Sequence, residues 1–156
     1  MLISDIYHPH PKTIYDKRTV VDALKELIEN EVNGLIVLGD DKQVVGVLSL
    51  QDIAAATVPP QFRKNIGMAA AMYRKGFFSE MCQAIKDKPV KEIMRKDFVQ
   101  VSLEDNIMAV TADFLKNDLY IVPVIDKKKL IGVVTRTEIK SALIYGMGLR
   151  SEIKVI

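Results

Sequence analysis

Only one of the 156 residues is cysteine, Cys82, so an internal disulfide and a multi-cysteine zinc site within one chain are both excluded. Packing has to supply the stability. Long apolar runs are also missing: the longest, from Ile66 to Tyr73, is eight residues and holds a glycine and three alanines, where a bilayer span needs about 20. The opening Met1-Leu2-Ile3-Ser4-Asp5 has no basic segment followed by an apolar one, so no secretory signal is visible and a cytoplasmic location is expected. Charge of one sign is lacking too. Twenty-two basic against 20 acidic residues leave +2, without the footprint that duplex nucleic acid or an anionic membrane requires. Small anionic ligands fit this balance. No Walker A or Gly-x-Ser-x-Gly motif occurs, and Gly146-Met147-Gly148 follows a helical segment instead of opening one, the wrong context for a dinucleotide fingerprint. The two histidines stand in His8-Pro9-His10-Pro11, with no acid or cysteine at ligand spacing; a solvent-exposed terminal arm is expected there, and no metal. Cys82 has no histidine beside it and is expected to be a buried thiol. No nucleophile and base can be assembled, so catalysis is not expected.

What is present is an ordinary globular composition, 49% hydrophobic and 27% charged, at a length that buries about 70% of the unfolded chain's surface. The chain also repeats itself. Ile3-Ser4-Asp5-Ile6 returns 87 residues later as Val90-Lys91-Glu92-Ile93, and the same shift carries Ile14 to Val101, Thr19-Val20 to Asn106-Ile107, Leu27 to Phe114 and Val37-Leu38 to Val124-Ile125. Past a polar turn the shift becomes 86 and pairs Val44-Val45-Gly46-Val47-Leu48-Ser49 with Leu130-Ile131-Gly132-Val133-Val134-Thr135. A repeat of this kind outranks any local motif.

Each copy reads as one supersecondary unit. Val20, Leu24, Leu27, Ile28 and Val32 recur at helical spacing, as do Ile107, Val110, Phe114 and Leu115, so both copies carry an amphipathic helix. A β-branched run, a short polar turn and a second apolar run follow, which is a hairpin signal. Pro123 cannot donate to a ladder and belongs at a strand start or an edge. Ile53-Ala54-Ala55 and Ile139 to Ile144 predict a second helix in each copy. With a short strand before the first helix (Thr13-Ile14-Tyr15; Phe98-Val99-Gln100-Val101), the unit is strand, helix, strand, strand, helix.

Each copy ends in Gly-hydrophobic-x-Ser/Thr-x-x-acid: Gly46-Val47-Leu48-Ser49-Leu50-Gln51-Asp52 and Gly132-Val133-Val134-Thr135-Arg136-Thr137-Glu138. With Val122-Pro123-Val124-Ile125-Asp126 and Val90-Lys91-Glu92-Ile93-Met94, these segments resemble a tandem cystathionine β-synthase (CBS) domain pair. The resemblance implies an α/β (α+β) fold in which two repeats pack by their sheets about a pseudo-twofold axis. It divides the chain into repeat 1 (1–58), a helical insert (59–88), repeat 2 (89–146) and a tail (147–156).

The resemblance further implies that Ser49 and Thr135 reach a nucleotide phosphate, while Asp52 and Glu138 accept hydrogen bonds from ribose hydroxyls. A helix N-terminus suits a phosphate, and a carboxylate suits a diol. Arg136 adds a fork of donors. Adenine contacts fall on Ile14, Gly34, Leu35 and Ile36 in one copy and on Val101, Tyr120, Ile121 and Pro123 in the other, with Tyr120 placed to stack on a base. Core packing is the competing role for these apolar residues. Ser49-x-x-Asp52 and Thr135-x-x-Glu138 also fit the capping box, which closes a helix end without any ligand. Glu138 stands where the family has Asp, and its extra methylene shifts the carboxylate by about 1.5 Å. The Ser49/Asp52 cleft is therefore expected to be the stronger.

The expected function is a stand-alone regulatory pair, without prosthetic group, that senses AMP, ADP or ATP and signals to a second subunit or an effector protein. The alternative is a ligand-free dimerisation or adaptor module. Ala54, Ala55, Leu143 and Ile144 on the second helices favour a homodimer. The insert, broken by Pro59-Pro60 and Gly76, reads as two short helices whose Met and Phe residues pack back onto the pair or onto a partner.

Overall fold

The β-branched runs pair as expected in the computed structural model, which describes residues 1–72 and 74–153. Strand β2 (Gly34–Leu38) runs antiparallel to β3 (Val44–Ser49), and β4 (Ile121–Asp126) antiparallel to β5 (Lys129–Thr135). Both hairpins carry a register irregularity at the same repeat position, after Val37 and after Val124. Strand β1 (Thr13–Tyr15) adds in parallel to β2. Its expected counterpart over 98–101 is reduced to a single bridge between Val101 and Val124, and Pro123 supplies the reason. In repeat 1 the Ile36 N–H donates to the Lys12 carbonyl at 2.9 Å; the residue at the Ile36 position of repeat 2 is Pro123, which has no N–H to give. Only the bonds from Val101 N–H to the Pro123 carbonyl (3.0 Å) and from Ile125 N–H to the Val101 carbonyl (2.9 Å) remain.

The first helix of each repeat, α2 (Val20–Asn30) and α6 (Ile107–Lys116), presses a narrow stripe onto its sheet: Val20, Ala23 and Leu27 in one, Val110 and Phe114 in the other. Ile28 and Leu115, which the spacing assigned to the apolar face, are 69% and 81% exposed. The apolar stripe is wider than the buried one. The second helices are α3 (Leu50–Thr57) and α7 (Arg136–Gly146), where Ala54, Ala55 and Leu143 are exposed and Ile144 is half-buried.

The short helix α1 (Ile3–Ile6) docks on the opposite repeat. Its Ile3 and Ile6 are fully buried among Val101, Val110, Phe114 and Val134 of repeat 2. Reciprocally, Val90, in the 3-10 turn Val90–Glu92, lies within the core of repeat 1 beside Val20, Leu35 and Leu48. The leading segments are exchanged, so each core is completed by residues from the other copy. Between the sheets, Ile36 and Val47 meet Ile121 and Val133, which is the sheet-to-sheet packing that the family resemblance implied.

The exchanged arms explain why both motifs begin with glycine. His8 exchanges two backbone hydrogen bonds with Val133, both 2.9 Å, and Arg95 does the same with Val47 at 2.9 and 3.1 Å. A Cβ on Gly132 would sit 2.4 Å from the His8 carbonyl oxygen, and one on Gly46 would sit 2.6 Å from the Met94 sulfur.

The insert forms α4 (Ile66–Ala71) and α5 (Phe77–Ile85) after a 3-10 turn at Pro60–Phe62. Two short helices were expected and are found, but only α5 packs back, through Ile85 and its contacts with α3. Every residue of α4 is exposed. Cys82 is half-buried instead of enclosed. The expected tail over 147–156 is described as far as residue 153; Tyr73 and residues 154–156 lie outside the described residues. Among the described residues no helix is long and apolar enough to cross a membrane.

Candidate functional site

Two clefts flank the sheet-to-sheet contact, one beside each Gly-x-x-Ser/Thr-x-x-acid motif, and they differ greatly in size. The cleft at Thr135 and Glu138 holds about 600 Å³, within the range of small-molecule sites. The one at Ser49 and Asp52 holds about 10 Å³. Gly34 lines the large cleft and maps by the 87-residue shift onto Ile121, which lines both clefts; the two positions face each other, and a Cβ on Gly34 would sit 3.1 Å from Ile121 Cγ2. The arm differs as well: His8, His10 and Lys12 wall the large cleft, and Arg95, Asp97 and Val99 stand at the corresponding places of the narrow one.

Both motifs are complete capping boxes. In α3 the Asp52 N–H donates to Ser49 Oγ (3.2 Å), and the Ser49 N–H and hydroxyl both donate to Asp52 Oδ2 (2.8 and 2.9 Å). In α7 the Thr135 N–H and hydroxyl donate to Glu138 Oε2 (2.7 and 2.6 Å), while the Thr137 N–H donates to Thr135 Oγ1 (3.1 Å). Each hydroxyl donates its one proton to the neighbouring carboxylate, so both helix ends are closed within the chain.

The two carboxylates differ in what else they hold. Asp52 Oδ1 accepts from Arg95 Nε at 3.1 Å, which engages its second oxygen. Glu138 is only 5% exposed, lines the large cleft, and among the described residues no donor bonds to its Oε1. Oε1 is not among the buried polar atoms left without a partner, so it faces the open cleft. It suits a ligand that brings hydroxyl donors into the cleft.

Around the clefts Tyr120 is held by two arginines, the Arg136 guanidinium 4.1 Å and that of Arg95 5.5 Å from its ring centroid. Arg136 Nη2 also lies 3.5 Å from Asp118 Oδ1.

Of the residues singled out from sequence, Gly34, Tyr120, Ile121, Thr135, Arg136 and Glu138 come together in the large cleft. Ser49 and Asp52 meet Tyr120 and Ile121 in the narrow one. Ile14, Leu35, Ile36, Val101 and Pro123 are buried in the sheets and line neither, in keeping with core packing. The arm is exposed at Pro9 and His10 as expected, but His8 is half-buried, and both histidines wall the large cleft, their rings 5.9 Å apart at 80°. The signal for this was in the repeat, because the shift of 87 sets His8 on Arg95 and His10 on Asp97. No cluster of metal-ligating side chains occurs among the described residues.

A protein-family model described as CBS domain matches residues 3–58 and 90–145. The chain is 27% identical over 156 residues to the uncharacterized Methanocaldococcus jannaschii protein MJ1426, covering 92% of each. It is 30% identical over 128 residues to MJ1232 of the same organism, covering 81% of this chain but only 34% of that longer protein. Among solved structures, the CBS domain pair of protein MJ0100, crystallised with 5'-methylthioadenosine and S-adenosyl-L-methionine, superposes with a TM-score of 0.69 at 24% identity, covering 94% of this chain and 98% of that one.

Proposed function

This chain belongs to the CBS-domain family, and from that premise we propose that it is a regulatory module, without catalysis of its own, that binds an adenosine compound in the cleft at Thr135 and Glu138. The observation that carries the reading is Glu138, a largely buried side chain on the wall of a cleft of about 600 Å³ whose Oε2 closes the cap while Oε1 faces the cleft. Its unpaired oxygen accepts from a ribose diol. The α7 N-terminus and Arg136 take the phosphate, and the wall beside Gly34 and Ile121 receives the base. The adenosine ligands in the MJ0100 structure support this ligand class. AMP, ADP and ATP all fit the chemistry.

This ranking reverses the expectation from sequence, which placed the Asp52 cleft first on the length of its carboxylate. Volume and the engagement of Asp52 by Arg95 outweigh one methylene.

Calorimetric titration with AMP tests the proposal. Glu138→Gln keeps the cap's acceptor but weakens the charge-assisted bonds to ribose, worth about 1.5–3 kcal/mol, and is expected to lower affinity roughly ten- to a hundredfold. No heat or thermal shift with any adenosine compound refutes it and favours the adaptor reading, to which the complete capping boxes and exposed α4 lend support. Binding is proposed to alter affinity for a second subunit or an effector protein, through a preference of the ligand between two states. The homodimer and the cytoplasmic location belong to the same proposal.

A further inference from the structure

Arg95 occupies the narrow cleft as a ligand would. Its backbone is fixed by the two bonds to Val47, and its guanidinium reaches across to the other repeat. Nε donates to Asp52 Oδ1 (3.1 Å), Nη1 donates to the Asp118 carbonyl (3.0 Å), and the plane lies 5.5 Å from the Tyr120 ring. Side-chain exposure of Arg95 is 33% and of Asp52 11%, so the pair is partly desolvated, and a neutral diol cannot replace a guanidinium at Asp52 without loss. In the large cleft the corresponding arm residue is His8, which makes no such contact with Glu138.

We propose that Arg95 is the specificity-determining residue of the pair, an internal plug that closes the narrow cleft so that the two clefts fill in order, the Glu138 cleft first. The inference rests on the reading that these clefts take adenosine compounds. The plug is tied to the first cleft through shared residues. Tyr120 and Ile121 line both clefts, and Arg136, from the large cleft, leans on the same Tyr120 and Asp118 as Arg95. A phosphate bound at Thr135 offers Arg136 a closer partner than Asp118 at 3.5 Å, and drawing Arg136 away frees one of the two supports of the Tyr120 ring. The second cleft then opens only after the first is filled.

The experiment is calorimetric titration of the full chain with AMP, comparing the parent with Arg95→Ala and Arg95→Gln, and using native mass spectrometry to count bound AMP. The parent is expected to bind one equivalent tightly, with a second at least tenfold weaker or absent. Either variant raises the affinity of the second equivalent at least tenfold, and adding Glu138→Gln weakens the first equivalent at least tenfold while sparing the second. Because backbone bonds hold the arm, the variants should keep the parent's circular dichroism spectrum; if Arg95→Ala loses it, Arg95→Gln carries the test. One tight equivalent in parent and variants alike, with the second unchanged, overturns the plug and leaves the Glu138 reading standing. Two equal equivalents in the parent also overturn it. No AMP bound by any form overturns both.

Discussion

Gly132→Ala is the sharpest probe of the exchanged arms. The added methyl would lie 2.4 Å from the His8 carbonyl oxygen and 2.5 Å from the Tyr7 ring, against an ordinary contact of about 3.5 Å or more. The arm must therefore retreat by about 1 Å. That stretches both 2.9 Å bonds between His8 and Val133, each worth about 1 kcal/mol, and strains the seating of Ile3 and Ile6. Overpacking of this kind costs about 1–3 kcal/mol, and the entropic gain of Gly→Ala returns about 0.4–1 kcal/mol. The net expectation is a loss of about 2–4 kcal/mol, a drop in Tm of about 5–15 °C for a chain of this size. Gly146→Ala is the control, since nothing lies within 4 Å of its Cβ position and alanine favours a helix by roughly 0.5–1 kcal/mol. Chemical denaturation of both variants beside the parent reads the difference. A Gly132→Ala protein within about 0.5 kcal/mol of the parent refutes the claim that close approach of the arm demands glycine.

Further outcomes are expected. Gly34→Val narrows the large cleft, because even its Cβ would sit 3.1 Å from Ile121 Cγ2, and it should weaken AMP binding at least tenfold by calorimetry while the fold, read by circular dichroism, is kept. The Asp22 carboxyl is held down to about 2, chiefly by the Arg18 guanidinium and then by the hydroxyl and N–H of Thr19. Its folded pKa lies below its unfolded one, so its contribution is present above about pH 4 and is lost as pH falls from about 4 to 2; Asp22→Asn should flatten that part of a stability–pH curve. Thr19→Ala removes the cap on α2 and should cost about 0.5–2 kcal/mol by denaturant titration. Ile66→Ser with Phe78→Ser, at side chains 85% and 70% exposed, should leave Tm within a few degrees and lower the mass seen by light scattering; an unchanged oligomeric mass counts against the insert as an assembly surface.

The repeat made the fold legible, because a hairpin and an amphipathic helix are local patterns and each was present twice. What the local pattern could not carry was where the arms go. Ile3 and Ile6 have nothing near them in sequence that names Val110 or Phe114 as partners, so the exchange is a property of tertiary packing alone. Pro123 shows the intermediate case: its missing donor was evident, but its consequence, a strand reduced to one bridge, needed the register with Val101. The motif residues were legible as chemistry and not as rank. The clefts differ at single positions, Gly34 against Ile121 and His8 against Arg95, that a reading for similarity between the copies passes over.

The exchange also orders the events of synthesis. Residues emerge from the ribosome N-terminus first, and repeat 1 receives its missing piece, Val90 and the bonds of Arg95 to Val47, soon after its own last helix is made. Ile3 and Ile6 emerge well before the core they enter, since Val101 to Val134 are made later. They must wait, apolar and unpaired, while more than a hundred residues are added. Contacts so distant along the chain are slow to form, and the docking of α1 is therefore expected to be the last step of folding, with the large cleft, walled by His8, His10 and Lys12, completed only then.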